Sequence, residues 1–262
     1  MDKSIQEELK RASELVLSAR YVVAVVGAGM SAESGIPTFR GPGGLWNKYG
    51  EPDMRGFERF LADPKTWWRN MLKGGRPGSE LQAAVEKAQP NPGHHALAEL
   101  ERLGVLRYII TQNVDGLHHV AGSTRVAEIH GNTRKLRCLR CTARFDRRAF
   151  EIDVEHLPPR CPECGGVVKG DGVMFGEPIP EDVLAICQEQ TAASDCMLLL
   201  GTSGVVYPAA GFPQQVKWAG GRLIEINPLE TDLSHLCDVV VRAPTGEALP
   251  ELTKLIGELK TS

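Results

Sequence analysis

The apolar positions of this chain repeat with two different periods. In residues 1–20, MDKSIQEELKRASELVLSAR, they recur every three or four residues, which predicts an amphipathic helix. YVVAVV at 21–26 is apolar without a break, and comparable short runs return in RYIITQN (107–113), RVAEIHG (125–131), CMLLLGTS (196–203), RLIEINP (222–228) and CDVVVRA (237–243). Helical patterns such as HHALAELERLG (94–104) lie between them. Apolar strands bounded by turns and separated by helices fit a parallel sheet covered on both faces. The predicted class is therefore α/β, doubly wound and mostly parallel.

Two stretches break the rhythm. Residues 48–90 hold paired tryptophans, a KGGRPG turn and helical spacing without a clear strand, and 134–170 is dense in Arg, Cys, Pro and Gly. Both read as insertions that together build a smaller domain, leaving 1–47, 91–133 and 171–262 to the main one. No internal repeat or low-complexity segment stands out.

With 262 residues and 42% hydrophobic content the chain can bury a substantial core. A formal net charge of -3 and a pI near 6.2 provide no global attraction for nucleic acid or an anionic membrane. No apolar stretch approaches the roughly 18 residues of a membrane span. The expectation is a cytoplasmic protein without direct nucleic-acid or membrane partners, monomeric by default.

Gly27-Ala28-Gly29-Met30-Ser31-Ala32 fits G-x-G-x-x-A at the end of the first predicted strand. Glycines there permit a tight turn and close approach of a pyrophosphate to free N–H groups, as in Rossmann-like sheets, although a bare strand-to-helix turn would read the same way. A hydride-transferring dehydrogenase is disfavoured, because the acidic residue expected about 20 positions on, after a second strand, is missing. IPTFRGPGGLWNKYG (36–50) stands in its place, a Gly- and Pro-rich loop suited to covering a cofactor whose own bond is broken.

TQNVD (111–115) falls at the C-terminal edge of another predicted strand, where open α/β sheets place ligands, though Asn and Asp are also common loop formers. His130 closes RVAEIH at the same edge; it can serve as a proton acceptor or as a hydrogen-bonded structural residue. GTS (201–203) and Asn227 follow CMLLL and RLIEI and reach that edge too.

Cys138-x-x-Cys141 and Cys161-x-x-Cys164 have the spacing of a four-thiolate zinc ribbon. Four protein ligands leave no position for a substrate water, so one structural Zn2+ is expected. Cys187, Cys196 and Cys237 read as ordinary buried small residues. RKLRCLRCTARFDRR (134–148), with seven basic residues against one Asp, reads as a solvated face or as a docking face for an acidic partner.

Together these motifs resemble the sirtuins, the NAD-dependent protein-lysine deacylases. Gly27-Ala28-Gly29 with Ser31, Ser34-Gly35-Ile36-Pro37 and Phe39-Arg40 resemble the first signature of that family. Thr111-Gln112-Asn113-Val114-Asp115 with Leu117-His118 resemble the second, and Ile129-His130-Gly131 the third. The cysteine pairs, FGE (175–177), GTS and IN (226–227) follow in the family's order. The resemblance spans nearly the whole chain, and the near absence of terminal extensions suggests a prokaryotic enzyme. It implies NAD consumed as a co-substrate and acyl-lysine proteins or peptides as partners.

In sirtuins the acyl oxygen attacks the anomeric carbon of the nicotinamide ribose, nicotinamide leaves, and a histidine activates a ribose hydroxyl toward the acyl-derived imidate. The end product is 2′-O-acyl-ADP-ribose. Carried over residue by residue, the resemblance makes His130 the general base and gives Asn113, with Gln112, the ribose and an ordered water. Asp115 would accept from the nicotinamide carboxamide, Ile36 and Phe39 would wall its pocket, and Arg40 would meet the phosphates or order the loop. Gly27, Ala28, Gly29 and Ser31 would line the pyrophosphate side. Gly201, Thr202, Ser203 and Asn227 would hold the adenine ribose, and Thr245 in PTGE (244–247) the adenine.

GVMFGEPIP (172–180) and GTSGVVYPAA (201–210) resemble the two edges that pair with an extended peptide, with Val173, Phe175 and Val205 as contacts. Sirtuins that prefer succinyl or malonyl lysine carry a Tyr and, three residues on, an Arg. The aligned positions here, Met71 and Gly74, offer no such clamp, so neutral acyl groups are expected, acetyl first. The alternatives are protein ADP-ribosyl transfer from the same pocket and a non-catalytic NAD or acyl-lysine sensor.

Overall fold

The computed structural model describes residues 2–41, 43–73 and 79–261. The N-terminal pattern forms α1 (Lys3–Ser18), which buries Leu9, Ala12 and Val16, and β1 (Val22–Val26) follows with all five side chains buried. A 3-10 helix over Ala28–Ser34 takes the place of a full α-helix, stopped by Gly35 at φ 81° and by Pro37. The helical stretch then supplies α2 (Leu45–Tyr49), α3 (Gly56–Ala62), α4 (Pro64–Lys73) and α5 (Ser79–Lys87). α6 (Pro92–Arg102) begins at an Asn91 cap that accepts from the Gly93 and His94 amides.

β2 (Leu106–Thr111), α7 (Leu117–Val120) and β3 (Val126–Glu128) lead into three short strands, β4 (Lys135–Cys138), β5 (Arg144–Asp146) and β6 (Val168–Gly170). The chain ends with α8 (Glu181–Ala193), β7 (Cys196–Leu200), α9 (Gly211–Trp218), β8 (Arg222–Ile226), β9 (Val239–Val241) and α10 (Thr245–Thr261). Six strands pair in parallel in the order β3-β2-β1-β7-β8-β9. The chain works outward from β1 through β2 to β3, then returns to β7 on the other side of β1. This reversal opens a crevice at the C-terminal ends of β1 and β7.

One face of the sheet is covered by α1, α6 and α10, through Leu9, Leu97 and Leu252 among others, and the opposite face by α8 and α9, through Cys187, Phe212 and Val216. Cys187 and Cys196 are buried as expected, while Cys237 is only half-buried. The two segments that broke the alternating pattern share a third core. Phe60 and Trp68 of α3 and α4 pack on Leu136, Val168, Cys138 and Cys161, and the Trp68 indole donates to the Val168 carbonyl at 2.9 Å. β4 sits between β5 and β6 in an antiparallel sheet.

β3 stops at Glu128, short of the strand read from RVAEIH. Gly131, at φ 76°, turns the chain back so that its N–H meets the Glu128 carbonyl at 2.9 Å. His130 therefore sits in a turn, held by backbone that needs glycine next to it. Among the described residues no helix is long and apolar enough to cross a membrane.

Candidate active site

The crevice is built by loop backbones in direct contact. The Gly27 N–H donates to the Leu200 carbonyl at 2.9 Å and the Gly29 N–H to Gly201 at 2.8 Å. A side-chain carbon at Gly29 would lie 2.8 Å from the Gly201 Cα, and one at Gly201, φ 56°, 2.5 Å from the Met30 nitrogen. These glycines thus let the β1 and β7 loops touch, and the Gly29 amide is used by Gly201 and not by a ligand.

Three buried polar side chains meet beside that junction. Asn113 Nδ2 donates to the Gly27 carbonyl at 3.0 Å and to Ser31 Oγ at 3.1 Å. The Ser31 hydroxyl donates to Asp115 Oδ2 at 2.8 Å, while Oδ1 accepts from the Leu117 N–H at 2.8 Å. Burial pushes the Asp115 carboxyl up, against the lowering effect of these two donors. Ala28, Ser31, Ile36, Phe39, Asn113 and Asp115 all line one cleft, which brings three separated motifs together. Leu81 and Val85 of α5, Pro37 and Val114 complete it. Sequence reading missed the α5 pair; its i, i+4 apolar spacing was visible but is shared by any amphipathic helix.

The rim continues along the strand ends. Gln112 Nε2 donates to Thr202 Oγ1 at 3.0 Å and Asn227 Nδ2 to the Thr202 carbonyl at 3.1 Å, while Ser203 is exposed beside them. Glu225, 1% exposed, holds the loop after β8: it accepts from Thr231 at 2.6 Å, Ser234 at 2.5 Å and Arg242 at 3.1 Å, and Arg242 also donates to the Leu229 carbonyl at 2.9 Å. Thr245 opens α10 with 2% exposure, and its hydroxyl is buried without a hydrogen-bond partner, so the side chain is turned inward. Arg40 stacks 3.9 Å over Trp46, which is the loop-ordering arrangement of its two expected roles.

His130 is half-buried, and its Nδ1 lies 3.2 Å from the Gln112 carbonyl. A carbonyl only accepts, which assigns the proton to Nδ1 and leaves Nε2 as the basic nitrogen. Burial lowers the pKa of His130, while the Gln112 contact opposes the shift. The Val173 N–H donates to the His130 carbonyl at 2.8 Å. Phe175 is 37% exposed with its ring 6.1 Å from Trp46, itself 5.8 Å from Phe39; Val205 lies half-buried in the loop after β7.

The four thiolates fit a zinc ion. The sulfurs of Cys138, Cys141, Cys161 and Cys164 all lie within 4.8 Å of one another, with Cys138–Cys164 at 3.4 Å and Cys141–Cys161 at 3.7 Å. Zn–S bonds in a tetrahedron imply an edge of about 3.8 Å, whereas a disulfide would need about 2 Å. The Arg140 and Gly166 amides donate to Cys138 and Cys164 at 3.3 and 3.4 Å, orienting both knuckles.

Residues 27–208 match the model of the Sir2 family. This chain belongs to the Sir2 family. It is 45% identical over 248 residues to the NAD-dependent protein deacetylase of Sulfurisphaera tokodaii, covering 93% of this chain and 94% of that protein. Among solved structures it is similar to a Sir2 homologue in complex with NAD, at 40% identity and TM-score 0.79, covering 95% and 94% of the two chains. It is also similar to a Sir2 structure with a p53 peptide and NAD+, at 31% identity and TM-score 0.76, covering 97% and 99%.

In this Sir2-family chain the basic segment is not a solvated face throughout. Lys135 pairs with Glu128 at 2.8 Å, Arg137 with Glu177 at 2.6 Å, Arg144 with Asp182 at 2.7 Å, and Arg140 donates to the Cys164 carbonyl at 3.0 Å. Of the two positions aligned with a carboxylate clamp, Met71 is half-buried with its sulfur 3.7 Å from Arg147 Nη2, and Gly74 lies outside the described residues.

Proposed function

We propose that this chain removes acyl groups, acetyl first, from protein lysines by consuming NAD, with release of nicotinamide and 2′-O-acyl-ADP-ribose. The observation that carries this reading is a half-buried base held beside a strand end that lines a walled cleft: His130 keeps its proton on Nδ1 against the Gln112 carbonyl, and the next residue, Asn113, lines the cleft with Ser31, Asp115, Ile36 and Phe39. A binder without turnover needs no positioned base. When bound, NAD supplies an anomeric carbon that the acyl oxygen can attack as nicotinamide leaves.

The residues divide the remaining tasks. Asp115, fixed by two donors, receives the carboxamide, and the apolar Ile36 and Phe39 keep water from the reacting carbon. Asn113, with Gln112, orients the ribose, and His130 takes a proton from a ribose hydroxyl at Nε2. Ala28 and Ser31 border the pyrophosphate beside the Gly27–Gly29 turn. Thr202, Ser203 and Asn227 flank the adenine ribose beside Gly201. Val173, Phe175 and Val205 border an extended peptide, whose backbone pairing asks little of sequence. Cys138, Cys141, Cys161 and Cys164 hold one structural Zn2+. The neutral preference rests on the sequence at Met71 and Gly74, neither of which supplies the Tyr and Arg of a carboxylate clamp.

The setting we propose is a prokaryotic cytoplasm, with the chain acting as a monomer and without nucleic acid. Residues 48–90 and 134–170 form the smaller domain in this reading, supported by their shared core.

The test mixes the protein with an acetyl-lysine peptide, with and without NAD, and follows free nicotinamide and peptide mass together. Equal amounts of nicotinamide and deacetylated peptide, formed only with NAD, are expected. Nicotinamide released from NAD while the peptide stays acetylated would point to ADP-ribosyl transfer, and no nicotinamide at all to a sensor. A malonyl or succinyl peptide turned over faster than the acetyl one would overturn the acyl preference.

A further inference from the structure

The side chain of Glu177 in the FGE segment is 2% exposed, and its partners come from the small sheet and from its own turn. Its Oε1 lies 2.6 Å from Arg137 Nη2, and its Oε2 accepts from the Met174 N–H at 2.8 Å and lies 3.0 Å from Lys169 Nζ. The Glu177 N–H donates to the Met174 carbonyl at 3.0 Å, closing the turn that presents Phe175. Lys169, fully buried, also donates to the Gly170 and Gly172 carbonyls at 2.7 and 2.8 Å.

Asp171 does the same for the other turn. It is 2% exposed, and Oδ2 accepts at 2.9 Å from the Asn132 N–H, two residues after His130. The fit is close, since a side-chain carbon at Gly131 would lie 2.2 Å from the Asp171 carbonyl oxygen. Oδ1 accepts from Arg144 Nε at 3.2 Å and lies in ion-pair contact, also 3.2 Å, with Arg137 Nε, whose N–H is not hydrogen-bonded to it, and Arg144 continues to Asp182 at 2.7 Å. The network is balanced in charge: Arg137, Lys169 and Arg144 face Glu177, Asp171 and Asp182.

Among the described residues Arg137, its side chain 5% exposed, is the only one of these three cations in ion-pair contact with both turn-holding carboxylates. We propose that Arg137 is a positioning residue for deacylation, in which one guanidinium on the metal-bearing sheet sets both the turn of the general base and the turn of the acyl-peptide edge. The inference rests on the deacylase reading above. The planar guanidinium hydrogen-bonds Glu177 through Nη2 while its Nε edge lies in ion-pair contact with Asp171, a span that a compact ammonium does not reproduce, and any rearrangement would leave a buried charge unpaired.

The experiment compares the zinc-loaded wild type with Arg137→Lys, measuring zinc content, melting, kcat and KM for acetyl peptide and for NAD, and exchange of the Asn132 and Met174 amides. Arg137→Lys is expected to keep its zinc yet lose about tenfold in kcat/KM for the peptide, the size of one charge-assisted hydrogen bond. KM for NAD stays near the wild-type value, and both amides exchange faster than the Gly29 amide, which keeps its wild-type rate. If Arg137→Lys fails to fold, the double variant Arg137→Met with Glu177→Gln removes one charge of each sign and is read the same way. A folded, zinc-loaded variant with unchanged peptide kinetics and unchanged Asn132 and Met174 exchange overturns the proposal. Amide exchange is read without turnover, so a wild type that does not deacylate would sink the functional reading separately.

Discussion

At His130 two neighbours act in opposite directions: burial lowers the imidazole pKa below its ordinary 6.5, and the Gln112 carbonyl partly restores it. A lowered base is already free at neutral pH and is lost only on acidification, so the acid limb of kcat/KM against pH is expected below pH 6.5. His130→Ala is expected to abolish deacetylation while ADP-ribose still binds, which calorimetry would check. His118 and His94 lie deeper, with ring centroids 4.9 Å apart and both nitrogens of His118 unpartnered. Burial pushes them down to about 3 and about 4 respectively. The folded state then binds fewer protons than the unfolded one below pH 6.5, so stability is full above that pH and falls as pH drops toward those values. Each imidazole contributes a slope of roughly 1.4 kcal/mol per pH unit inside its window. Thermal melts across pH 7 to 4 are expected to fall steeply for the parent and less steeply for His118→Leu.

Elements hold the site through their ends. The G-x-G turn was legible in sequence because a glycine pair after an apolar run has few other uses, yet its reason here is contact with Gly201 on another strand. Gly201→Ala is expected to force the two loops apart, raising KM for NAD more than KM for the peptide. The loop after β8 depends on a carboxylate that no motif announced, since Glu225 reads as one polar residue in an apolar strand. Glu225→Gln weakens hydrogen bonds to a charged acceptor, a loss of roughly 1.5–3 kcal/mol in stability. Because Arg242 and Thr231 would then hold Asn227 and its loop less firmly, KM for NAD is expected to rise while KM for the acetyl peptide is kept.

Across the whole molecule, the zinc ribbon and the helical insert stand or fall together. Trp68 is fully buried against Cys138 and Cys161, so thiolate release opens the core around it. Chelation, or Cys138→Ala, is expected to lower the melting temperature and to shift Trp emission to the red. If the metal-free protein kept the parent's melting curve and emission, the structural role of the site would be lost.

Period and spacing are local properties, and they determined what the sequence could show: the six strand runs, the parallel order of layers, the four thiolates and the family signatures at Gly27, Asn113 and His130. Side-chain direction and charge pairing are long-range properties, and only the tertiary structure decided them. Thr245 reads as a turn residue but is turned inward, Arg137 reads as surface charge but is buried in ion pairs, and Leu81 and Val85 read as plain helix but wall the cleft. For Arg137 the deciding partners, Asp171 and Glu177, lie far along the chain, where no window of sequence can weigh the cost of leaving a buried charge without them.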